Sequence, residues 1–139
     1  MGTRREAREH ALQLLYGVDL SKEESEKALR VFWAEEPADD DIVSYATDVV
    51  RGVVKDVERI DGLITEASTN WKIGRMAYVD RNILRLAIFE FLHRDDVPTN
   101  VSINEAIELG KRFGTTESGA FINGILDRIA RTQGLTNKT

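Results

Sequence analysis

The stretch that decides the fold is D-R-N-I-L-R-L-A-I-F-E-F-L, residues 80–92. Ile83, Leu84, Leu86, Ala87, Ile88, Phe89, Phe91 and Leu92 make it apolar almost all round. A helix of that kind is normally central and buried. Asp80, Arg81, Arg85 and Glu90 interrupt it and mark where it is expected to meet solvent or a partner.

The rest of the chain reads as helices too. Upstream, Thr3 followed by Glu6 has the pattern of a capping box. Ala7, Ala11, Leu14, Leu15 and Val18 then recur at helical spacing, and Gly17 with the stretch Asp19–Ser21 is expected to end this first helix. A second helix covers about 24–35, with Ala28, Leu29, Val31, Phe32 and Trp33 as its apolar residues. A third begins after Asp39–Asp41 and turns Ile42, Tyr45, Ala46, Val49, Val50, Val53, Val54 and Val57 inward. It either bends near Gly52 or continues to Asn70 through Ile60, Leu63 and Ile64. Downstream, Val97-Pro98 closes the central segment, and Ser102 with Glu105 predicts a second capping box opening a helix to Phe113. Gly114 is its expected C-terminal cap. A last helix spans about 117–131, with Phe121, Ile122, Ile125, Leu126 and Ile129 inward, and a frayed tail from Gly134. The two prolines, Pro37 and Pro98, fall between helices. No segment sustains the period-two alternation of a strand. The expected class is all-α, with about six or seven helices in one domain or two small subdomains sharing a core, divided near residue 72.

Composition narrows the function. Of 139 residues, 42% are hydrophobic and 31% charged, a globular balance. There is no cysteine, which excludes disulfides, thiolate metal sites and cysteine nucleophiles. No apolar run approaches the roughly 18 residues of a membrane helix, and the N-terminus lacks the apolar core of a signal peptide. A reducing cytoplasm fits. The formal net charge is −5, and residues 19–48 alone hold ten acids against three bases. Such acidity argues against indiscriminate nucleic-acid binding, which needs clustered bases. It leaves room for a local patch. The acids Glu35, Glu36, Asp39, Asp40 and Asp41 suit a loop and a helix start better than a metal site.

Catalytic constellations are not found. His10 and His93 lie on separate helices without metal-binding spacing and read as ordinary surface or packing histidines. Gly114 and Gly119 have the spacing of P-loop glycines, but Ala120 and Phe121 stand where lysine and the hydroxyl residue belong. No cofactor is expected. The first helix is more informative. At about 100° per residue, Arg4, Arg8, Leu12, Arg5 and Tyr16 follow round one flank of its apolar stripe, apart from Glu6, Glu9, His10 and Gln13. Arginine forks match phosphate, and tyrosine can stack on an unpaired base. A solvated flank with Tyr16 tucked partly into the core is the competing reading. Three arginines hold RNA only weakly, so a partner adding contacts is expected.

Two motifs resemble those of the bacterial transcription antitermination factor NusB family: R-R-E-A-R-E-H-A-L-Q-L-L-Y (4–16) and V-P-T-N-V-S-I-N-E-A-I-E-L-G-K-R-F-G (97–114), the latter continued by F-I-N-G-I-L-D-R-I (121–129). The resemblance covers essentially the whole chain and points to a stand-alone member, not the related domain fused to ribosomal RNA methyltransferases. It implies a compact all-helical fold of two helical subdomains. It implies no enzyme, but a heterodimer with NusE, a small-subunit ribosomal protein, that binds boxA RNA and joins an antitermination complex on RNA polymerase supporting ribosomal RNA transcription. The family's RNA-binding arginine motif falls on Arg4, Arg5 and Arg8, and its tyrosine on Tyr16. Glu6 departs from members with a base there, implying weaker RNA affinity or a load shifted to the partner. The NusE face falls on Asp80 and, less specifically, on Glu117 and Phe121; dipole compensation and core packing are the bland readings of these last two. Asn104 and Asn123 read as backbone-capping residues before functional ones. A self-associating scaffold that masks the RNA surface as a homodimer, and a ribosomal RNA maturation factor, are the alternatives.

Overall fold

The computed structural model describes residues 3–135 and, among them, seven α-helices and one short 3-10 turn. They are α1 (Thr3–Ser21), α2 (Ser25–Glu35), α3 (Asp40–Lys55), α4 (Val57–Ala67), the turn Ile73–Arg75, α5 (Tyr78–His93), α6 (Thr99–Phe113) and α7 (Ser118–Thr132). The all-helical expectation holds. So does the place of the 80–92 stretch: α5 is the axle, packed against α1, α3, α4, α6 and α7. Ile83, Leu84, Leu86, Ala87, Ile88, Phe89 and Phe91 are all buried in one hydrophobic cluster that reaches from α1 to α7.

Several expected boundaries move, each for a physical reason. α1 ends at Ser21, inside the expected Asp19–Ser21 stop, but passes through Gly17 unbroken, with Asp19 held against α5 by Arg81 and Asn82. Leu12, expected on the flank, is buried with Leu14 and Leu15. α3 ends at Lys55; the backbone of the capping Asp56 (φ −110°, ψ 20°) leaves the helical well, and α4 restarts at Val57. Gly52 is therefore not a bend. It is the place where the Phe89 ring lies on the α3 backbone, and a Cβ there would run into the ring.

α6 opens at Thr99 behind Pro98, not at Ser102; the carbonyl of Pro98 accepts the first helical bonds from Val101 and Ser102. Ser102 is thus inside the helix and buried, and Glu105 reaches away from the backbone to Arg5. Asn104 and Asn123 sit mid-helix and exposed, so neither is a cap. Gly114 does close α6. The chain end is pinned as far as Leu135. Gly134 takes a left-handed φ of 68°, its N–H donates to the carbonyl of Arg131, and the Leu135 N–H donates to that of Ala130. This is a Schellman closure, with Leu135 packed back on the core. The remainder of the expected frayed tail, 136–139, lies outside the described residues.

Candidate nucleic-acid and partner interface

α1 carries the site because α2, α3 and α5 pack against it while its N-terminal turn and a flank further along remain at the surface. At the N-terminal end, Arg4 and Arg5 are exposed. Arg8 is not: its residue is only 3% exposed. Its Nε donates to Glu90 Oε2 at 2.8 Å, and its Nη1 lies 3.7 Å from Glu105. The expectation of an exposed Arg8 on the flank is corrected here. One turn of helix brings it over the rim of the core, where Glu90 supplies an acceptor inside.

Glu90 is fully buried and fully used. Its Oε2 also accepts from the Tyr45 hydroxyl at 2.5 Å, and its Oε1 from Ser102 at 2.8 Å. Charged groups at zero exposure persist when paired and hydrogen-bonded. Arg8, Tyr45, Glu90 and Ser102 therefore tie α1, α3, α5 and α6 together directly beneath the exposed arginines. Burial first, and then the Glu90 charge, push the Tyr45 phenol well above its usual range, so the ring keeps its proton.

The ring beside the arginines is Tyr45, not Tyr16. The Arg4 guanidinium lies 4.0 Å and that of Arg94 4.6 Å from the Tyr45 centroid. Every cation of this end meets a carboxylate. Arg5 makes a two-bond fork with Glu105 at 2.9 and 2.7 Å, and Arg94 binds Asp48 and Asp96. The Arg5 hydrogen bond first holds the Glu105 carboxyl below its usual range, outweighing burial. Tyr45, Arg94, Asp96 and Glu105 were missed as site residues. Tyr45 obeyed the inward period of α3, and the others carry no local signal.

Tyr16 sits about 18 Å along the helix axis from Arg4. It is 37% exposed and stacks edge-on with Tyr78 at 6.3 Å. There it lines an apolar groove of about 390 Å³ with Leu12, Val79 and Phe113, the last 46% exposed. The structure thus does not bring Tyr16 to the arginines. It does bring Asp80, Glu117 and Phe121 to one corner next to Val79. Asp80 Oδ1 accepts from the Ser118 hydroxyl at 2.8 Å; Glu117 precedes Ser118, exposed, and Phe121 follows it half-buried against the core. Of the α5 residues expected to meet solvent or a partner, Arg81 and Glu90 are instead buried, Arg81 with its neighbour Asn82 on Asp19, and Arg85 forks onto Asp61. The remaining candidates are structural. His10 packs edge-on against Phe32 and Trp33, and His93 bonds Asp56 at 2.9 Å. Among the described residues, no group of three or more His, Cys, Asp or Glu side chains could hold a metal ion, and no helix is long and apolar enough to cross a membrane.

This arrangement has close relatives. The sequence model of the NusB family matches residues 5–131. The chain belongs to the NusB family. The transcription antitermination protein NusB of Geobacter sulfurreducens is 54% identical over 133 residues, covering 95% of this chain and 96% of that one. The NusB of Sorangium cellulosum is 46% identical over 138 residues, 99% of each chain. Among solved structures, T. maritima NusB superposes with a TM-score of 0.86 at 40% identity, covering 92% of this chain and 90% of that one. A NusB crystallised with NusE, the two described as antitermination factors, in complex with double-stranded RNA gives 0.86 at 28% identity over 95% of this chain and 98% of that one.

Proposed function

We propose that this chain is a transcription antitermination factor that binds boxA RNA together with NusE and joins an antitermination complex on RNA polymerase supporting ribosomal RNA transcription. It acts by assembly, not by catalysis, and works in the cytoplasm. The observation that carries the reading is that α1 exposes a cationic N-terminal turn and, further along, lines an apolar groove with Leu12 and Tyr16, in a fold shared with a NusB solved on NusE and RNA. One helix then touches RNA and protein at once.

In this reading Arg4 and Arg5 hold RNA phosphates. Arg8 works from below, fixing the α1 end through Glu90. The groove of Tyr16, Val79 and Phe113, with Asp80, Glu117 and Phe121 beside it, receives NusE; Tyr16 can still stack on a base at the seam between RNA and partner. Two exposed arginines in a chain of net charge −5 bind RNA weakly alone, and NusE supplies the missing contacts.

The test is a titration of fluorescent boxA RNA with the chain, alone and with NusE, at two salt concentrations. Weak, salt-sensitive binding that tightens sharply with NusE, and only for boxA, is expected. Arg5→Glu should lower RNA affinity and leave NusE binding intact, while Asp80→Lys should weaken NusE first. No RNA binding with folded NusE present, together with a dimeric mass in solution, would favour a self-associated form with its RNA surface covered.

A further inference from the structure

Resting on the RNA-binding reading above, we infer that Arg4 and Arg94, both stacked on Tyr45, form a phosphate cradle that extends the RNA surface beyond α1, and that Asp96 occupies this cradle in the free protein as an internal stand-in for the RNA phosphate.

The geometry is that of an anion site already filled. Arg94 offers its Nε and Nη2 as a fork to the two Asp96 oxygens, at 3.1 and 3.0 Å. Arg4 Nη2 approaches the same Oδ2 from 3.6 Å. One carboxylate oxygen therefore lies between two guanidiniums, where a phosphodiester oxygen would bridge them. The Nε–Nη2 edge of arginine matches phosphate as well as carboxylate. The cradle is also stiff. Tyr45 is buried, its hydroxyl is locked on Glu90, and its ring holds the guanidinium planes of Arg4 and Arg94 in place. Arg94 Nη1 keeps a separate bond to Asp48 at 3.1 Å, so it stays oriented when Asp96 leaves. The opening that Asp96 itself lines, together with Arg4, Arg5, Arg8 and Pro98, has a volume of about 330 Å³, room for a backbone phosphate in place of the carboxylate.

The occupant is replaceable. Asp96 is half exposed and stands in the short connection between α5 and α6, not on a helix. The Arg94 hydrogen bond keeps its carboxyl below the usual range, so it is charged at neutral pH and competes as an anion. A pair whose carboxylate is half exposed contributes little, and a strand of linked phosphates can displace it. The acid makes the cradle selective for strands held at more than one point, since a single phosphate contact must first evict it.

The experiment measures binding of single-stranded boxA RNA, and of a scrambled strand of equal length, to the full chain in the presence of NusE at a series of salt concentrations. Asp96→Asn should tighten RNA binding by about two- to fivefold. Asp95→Asn, the same charge change on an exposed neighbour outside the cradle, should move it much less. Arg94→Ala should weaken binding and flatten the salt dependence by roughly 0.7 in log–log slope, one phosphate's worth for a single strand. Arg94→Lys keeps the charge but loses the fork, and should fall between. NusE affinity without RNA should not change in any of them, which also reports that the variants fold. If Asp96→Asn and Asp95→Asn act alike, or Arg94→Ala leaves affinity and slope unchanged while Arg5→Glu still abolishes binding, the cradle is wrong and the RNA reading stands. If the unaltered chain with NusE binds neither strand, both are wrong.

Discussion

Glu90 shows how much one residue can decide. A carboxylate at the centre of an apolar helix is costly to desolvate, and donors such as Arg8, Tyr45 and Ser102 make it tolerable. Glu90→Ala strands Arg8 inside the protein and should cost about 3–5 kcal/mol, read as a fall in the urea midpoint. That is a large share of the roughly 5–15 kcal/mol that holds a domain together. The second hub is Asp19. Burial alone pushes its carboxyl up, but hydrogen bonds from Arg81 and Asn82 and the Arg85 charge outweigh this and hold it at about 2. A depressed carboxyl stabilises the fold above its unfolded pKa, near 3.8, and that contribution is lost as pH falls through the folded value. Stability should therefore drop between about pH 4 and pH 2 by up to about 2 kcal/mol from this group. Asp19→Asn should be less stable at neutral pH and show a shallower acid decline by circular dichroism.

At the scale of the element, local pattern was a good guide where packing obeyed it. The 3.6 period placed α1, α3, α5 and α7 and most of their buried faces. It failed where a helix end depends on something distant. Gly17, read with Asp19–Ser21 as the end of α1, does not break it: Arg81, 62 residues away, reaches Asp19 and keeps the last turn wound to Ser21. Ser102 and Glu105 have capping-box spacing, but Glu90 and Arg5 claim their side chains, and Pro98 opens the helix instead. Gly52 fits no helix-breaking role. It lets α3 approach α5 closely enough to seat Phe89, so Gly52→Ala should overpack this contact and cost about 1–3 kcal/mol in a denaturant titration.

For the whole molecule, the proposed function has one helix serving two partners at separate places along its length. If NusE tightens RNA binding by some factor, RNA must tighten NusE binding by the same factor. Calorimetric titrations in both orders should return equal coupling, and Arg5→Glu should shrink both together. The candidate site was legible only in part. Arg4, Arg5 and the Asp80–Glu117–Phe121 corner were named from motif positions, and the structure brings the corner together through Ser118. Arg94, Asp96 and Glu105 were not named, because nothing near them in the chain shows that α1 will lie alongside.

The all-helical class, the buried place of 80–92 and the family could be read from the chain alone, because periodicity and motif identity are properties of neighbouring residues. Which charges are buried and which reach the surface came from the packing of the helices. Arg8 and Glu90 are 82 positions apart, and Arg5 and Glu105 are 100 apart. Whether an arginine meets water, a carboxylate or RNA is settled by which helices pack beside it, and no local pattern encodes that.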